Sequence, residues 1–99
     1  MSTKLITRNV QSKSELLTRL SRTLLERNSQ FMQATELPSL LNPMWYLNVM
    51  KVLRQRHGDT HAFVSMPDLI LQHYGQEAHE LYAEVLRLKN DLRQMGDAL

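Results

Sequence analysis

Residues 42–58, NPMWYLNVMKVLRQRHG, form the stretch on which the reading of the fold turns. Asn42 is a good N-cap, and Pro43 suits a first helical turn because its missing N–H would be unpaired there anyway. Gly58 supplies the stop, since a left-handed C-cap costs glycine nothing sterically. Between those marks Met44, Trp45, Tyr46, Leu47, Val49, Met50, Val52 and Leu53 cover most of a helical circumference. Only Asn48, Lys51, Arg54 and Gln55 share a narrow polar strip. A helix apolar over most of its girth belongs among other helices, so this segment is expected to be the buried central helix.

Upstream, Ser12 and Glu15 make an S-x-x-E capping box, in which two orphan backbone donors are satisfied reciprocally. The helix it starts carries Leu16, Leu17, Leu20, Leu24 and Phe31 on one broad face and should run to about Ala34. Glu15–Arg19 and Arg22–Glu26 are four-apart charge pairs along it. Leu37-Pro38-Ser39 marks the connection to the central helix.

Downstream, Gly58-Asp59-Thr60 is a break, and Ser65 caps a short helix with Pro67 and Asp68 in its first turn. Gly75 ends that helix. From Gln76 to Met95, Ala78, Leu81, Val85, Leu88, Leu92 and Met95 recur at spacings of 3, 4, 3, 4 and 3. This is a heptad seam, closed by Gly96. The expected fold is all-α: a small four-helix domain with two long helices, a buried central helix and one short helix. Residues 1–11 are expected to be a flexible basic arm, and residues 12–99 a single α-helical domain.

At 99 residues, folding buries roughly 60–65% of the unfolded chain's surface, enough for one modest core. There is no cysteine, which excludes disulfides, thiolate metal sites and a cysteine nucleophile. A small domain without such staples points to a reducing, cytoplasmic setting. No apolar run approaches the ~20 residues of a membrane span. The net charge of +2 is unevenly placed. Lys4, Arg8, Lys13, Arg19, Arg22 and Arg27 outnumber the acids of the first third, while Glu77, Glu80, Glu84, Asp91 and Asp97 outnumber the bases of the last quarter.

Tests for chemistry exclude more than they suggest. His57 and His61 are separated by Gly58 and Asp59, so they do not share a helix face, and His73 and His79 straddle the Gly75 turn. No Glu-x-x-His spacing of a di-iron bundle occurs, so these read as surface or cap-adjacent histidines and no metal or cofactor is expected. Glu80 and Glu84 share a face with Arg87 nearby, the pattern of a solvated helix. With no nucleophile elbow and no phosphate-cradling glycine loop, the chain is not expected to be an enzyme.

Residues 66–90 have the outline of a degenerate helix-turn-helix around Gly75. Leu71 sits where a small residue is wanted, Gln76 follows the glycine, and the would-be recognition helix is acidic at Glu77, Glu80 and Glu84. Phosphate would be repelled there. The expected function is therefore protein–protein binding, as an adaptor, chaperone, inhibitor or regulatory subunit, with a protein partner or a homodimer. Leu81, Val85, Leu88, Leu92 and Met95 are the interface residues this reading names, while a heptad seam in a four-helix domain is equally read as internal packing. The alternative is a nucleic-acid-associated transcriptional or replication regulator, using either the basic N-terminal helix, with phosphate contacts at Lys4, Arg8, Lys13, Arg19, Arg22 and Arg27, or the degenerate helix-turn-helix of residues 66–90.

Overall fold

A computed structural model describes residues 12–59 and 63–97 of the chain. Four helices account for most of them: α1 (Lys13–Thr35), α2 (Trp45–His57), α3 (Met66–Tyr74) and α4 (Gln76–Asp97), with no strand among the described residues. The fold is all-α, as the hydrophobic periodicities imply. The proposed arm lies in residues 1–11, outside the described residues.

The cap chemistry sets the starts. Ser12 is the N-cap of α1, and its Oγ accepts from the Glu15 backbone N–H at 3.1 Å. Ser65 does the same for α3 through the Asp68 N–H. At α2 the expected start moves by two residues. Asn42 and Pro43 lie in a turn in which the Asn42 side chain accepts from the Met44 N–H at 2.8 Å, and helical geometry begins at Trp45. The Asn42 side chain thus closes a local turn in place of capping the helix.

The stops differ from expectation in two places. Gly58 has φ 83° and ψ −176°, a region open essentially to glycine alone and distinct from the left-handed helical cap that was expected. Gly96 stops nothing: α4 continues through it to Asp97. Beyond α1, Glu36 takes the left-handed conformation at φ 57° and ψ 27°, and its N–H closes onto the Met32 carbonyl.

α1 and α4 run antiparallel. Arg27 on α1 meets Glu84 on α4 at 3.0 Å, whereas Lys13 and Leu20 share a groove with Asp91, Gln94 and Met95. α3 lies against α4 as well, beyond the Gly75 corner. One core draws on all four helices: Phe31 from α1, Val49 and Leu53 from α2, Met66, Leu69 and Ile70 from α3, and Ala78, Tyr82 and Val85 from α4. Each buried Val, Leu, Ile, Met or Phe among them contributes about 1.5–3 kcal/mol on burial.

Leu37 and Leu40, in the connection between α1 and α2, are buried in the same core. Buried backbone there needs partners. Asn28 supplies them, its Oδ1 accepting from the Leu40 N–H at 2.9 Å while its Nδ2 donates to Ser39 Oγ at 3.0 Å. Thr35 Oγ1 accepts from the Leu37 N–H and donates to the Phe31 carbonyl. These bonds hold the connection across the end of α1 and so place α2.

Candidate functional site

Val49 and Leu53 seat α2 in the core, but its apolar circumference is wider than that contact. Met44, Tyr46 and Leu47 are 55%, 51% and 60% exposed at its N-terminal end. Scattered exposed apolar residues need no explanation, but three within four positions make a patch. Trp45 lies between them, half-buried, with its ring edge-on to Tyr46 at 5.5 Å and to Tyr82 at 6.0 Å. Burial pushes the Tyr82 hydroxyl up to about 12, and nearby Tyr46 adds to the shift. The Tyr82 phenol therefore stays uncharged across the physiological range.

Beside Trp45 is an open pocket of about 390 Å³ lined by Trp45, Leu86, Lys89 and Arg93. The three α4 residues fall three and four apart, which puts them on one helix face. Lys89 Nζ donates to the Leu40 carbonyl at 2.6 Å and sits 5.2 Å from the centre of the Trp45 ring, a cation–π contact. Partial burial, and then Arg93, hold the Lys89 amine below its ordinary value. Arg93 reaches Asn90 Oδ1 at 3.1 Å. Two cations line the pocket and no acid does.

The residues named from the heptad seam lie elsewhere. Val85 is fully buried and Leu88 nearly so, while Leu81, Leu92 and Met95 are half-covered. The seam packs α4 against the chain's own helices, so Val85 and Leu88 are not on offer to a partner. Met95 lines a shallow groove with Lys13, Leu20, Asp91 and Gln94.

The basic residues named for phosphate contact are dispersed. Lys4 and Arg8 lie outside the described residues. Lys13, Arg19 and Arg22 are on the exposed side of α1, and Arg27 is half-buried in its ion pair with Glu84. Within 66–90, α3 and α4 are joined by Gly75 alone, shorter than the three- to four-residue turn of a helix-turn-helix. Glu77 and Glu80 are exposed on α4.

Two histidines that the spacing left apart come together. His57 ends α2 and His73 lies near the end of α3, and their rings stack. His61 lies outside the described residues. His79 lies in the first turn of α4, half-buried, with its Nδ1 shut off from solvent and without a partner among the described residues. No group of three or more His, Asp or Glu side chains placed to hold a metal ion occurs among the described residues.

What sequence reading missed is the Trp45 pocket. Its signal was available in part: Trp45, Tyr46 and Leu47 make the N-terminal end of α2 apolar all round, and Leu86 lies off the seam beside two cations. No known protein family, curated protein or solved structure matches this chain. The geometry alone carries the functional reading.

Proposed function

We propose that the protein acts by binding another protein through the face formed by the N-terminal end of α2 and the adjoining side of α4. The carrying observation is that Trp45 lines an open pocket with Leu86, Lys89 and Arg93, and that the exposed Tyr46 ring lies edge-on to Trp45 at 5.5 Å. Aromatic and arginine side chains are the usual anchors of protein interfaces, and Tyr46, Trp45 and Arg93 are grouped here on one surface. This face replaces the heptad seam as the interface, since Val85 and Leu88 are committed to the interior. An adaptor, inhibitor or regulatory subunit needs no more chemistry than this. The absence of cysteine supports a cytoplasmic setting for it.

A nucleic-acid role draws less support. Arg27 is neutralised by Glu84, and the helix that would enter a groove presents Glu77 and Glu80. The test is site-specific photocrosslinking in cells, with the crosslinker placed at Leu47 and, as a control, at Leu25. Both positions are 60% exposed and they lie on different helices. A discrete protein adduct from Leu47 and none from Leu25 is expected. Adducts of equal yield from both, or from neither, would remove the α2 face as the interface.

A further inference from the structure

The lining of the Trp45 pocket is specific enough to name the chemistry of its occupant. Lys89 and Arg93 are one helical turn apart on α4, where like charges oppose each other. No carboxylate lines the pocket to offset them. The Lys89 amine is also partly cut off from water, and this with Arg93 depresses its pKa. A negative charge placed between the two would relieve that repulsion.

The donors are available. An ammonium carries three N–H groups, and Lys89 uses one on the Leu40 carbonyl. A guanidinium carries five, and Arg93 uses one on Asn90. Lys89 is already held between the Leu40 carbonyl and the Trp45 ring, so little ordering is lost when an anion arrives. The rest of the lining, Trp45 and Leu86, is apolar, and the exposed Tyr46 ring adjoins Trp45 edge-on.

We infer that the pocket takes a carboxylate side chain from an acidic peptide segment whose neighbouring apolar residues lie on Trp45, Leu86 and Tyr46. This rests on the protein-binding reading above and names the partner's chemistry. Two cations and a broad apolar rim suit a carboxylate flanked by apolar residues. A polynucleotide would want a longer basic track.

Trp45 is the sole tryptophan, so its fluorescence reports on the pocket directly. The probe is a short peptide with a central leucine–phenylalanine pair flanked by glutamates. Its control has glutamine at every glutamate. The acidic peptide should shift Trp45 emission saturably, at least about tenfold more tightly than the glutamine peptide, and more weakly as salt rises. Arg93→Gln should weaken the response. Lys89→Gln, which keeps an N–H donor for the Leu40 carbonyl, should weaken it also. Circular dichroism establishes that both variants are folded.

Equal affinity for the two peptides, or no shift with the acidic one, would overturn the inference. A tighter response to a single-stranded oligonucleotide would do the same. Its failure is separable from failure of the protein-binding reading. If Leu47 crosslinks persist undiminished in the Lys89→Gln, Arg93→Gln double variant, the face stands and the acidic partner falls. If the acidic peptide binds but Leu47 gives no position-specific adduct, the pocket stands and the wider face falls.

Discussion

His57 stacks on His73 with ring centroids 3.9 Å apart and planes 6° from parallel. The pair closes a knot between three helix ends. His57 Nε2 is 3.0 Å from Tyr74 Oη, and Arg56 donates to Tyr74 Oη, to the Thr35 carbonyl at 2.8 Å and to the Glu36 carbonyl. The guanidinium thereby satisfies carbonyls at the C-terminus of α1, while α2 and α3 supply the aromatic rings. Loss of solvent around the His57 ring, then His73, then Arg56, hold the His57 pKa below its ordinary 6.5.

This fixes the sign of a pH dependence. The unfolded chain takes up a proton on His57 near 6.5, and the folded chain does so only at lower pH. Stability is therefore full above about 6.5 and falls as the pH drops from there toward the folded value. His57 is exposed, so the fall is modest. Melting temperature measured between about pH 7.5 and pH 5 should decline on the acid side. Replacing His73 by Gln should flatten that decline, and His57→Gln should remove its His57 component. An unaltered slope in both variants would refute this account.

The Asn28 network makes a second prediction. Asn28 is 5% exposed and accepts from the Leu40 N–H while donating to Ser39. Asn28→Ala leaves a buried backbone donor unsatisfied, a cost of about 1–3 kcal/mol. Ser39→Ala frees the Leu41 N–H, which donates to Ser39 Oγ at 3.0 Å, but that donor is only part-buried and the buried Asn28–Leu40 bond survives, so it should cost less. Urea denaturation of the two variants would rank them, and the reverse order would show that Ser39 is the principal anchor.

Asn28 also shows where sequence reading ran out. The four helices were legible because their signals are local: Ser12 and Ser65 as caps, Gly75 as a stop, and the seam on α4 as a periodicity. A polar residue on an apolar helix face says only that it needs a partner, and Asn28's partners lie eleven and twelve residues away in an irregular connection. The His57–His73 stack was hidden for the same reason, since the two rings come from different helices and no local spacing relates them. The seam itself was legible, but its destination was not. A period of 3.5 places Leu81, Val85 and Leu88 on one face without saying whether α1 or a second chain covers it.

The glycines should answer in opposite directions. Gly75 joins α3 to α4 at φ 94° and ψ −179°, and a Cβ there would meet no atom within 4 Å. Any cost of Gly75→Ala is therefore backbone strain, about 1–3 kcal/mol. Gly96 lies within α4, also with open space around a Cβ. Gly96→Ala should stabilise by a few tenths of a kcal/mol up to about 1. Thermal melts of both variants would test this, and a destabilised Gly96→Ala would show that the last turn of α4 is not helical in solution.

The contrast between Leu47 and Val85 separates surface from core. Leu47 is 60% exposed, so Leu47→Asp should change folding stability by no more than about 0.5 kcal/mol. Val85 is wholly buried among Phe31, Tyr82 and Ile70 of the same core. Val85→Asp puts an unpaired carboxylate there and should cost about 4 kcal/mol or more, most of the stability of a domain at the low end of the usual range of about 5–15 kcal/mol. Circular dichroism with urea titration distinguishes the two. If Val85→Asp remained folded while the chain lost a partner or a second copy, the seam would be an interface after all. If Leu47→Asp unfolded the chain, the open side of α2 would have to be covered by the chain itself, and the binding face proposed above would be part of its core.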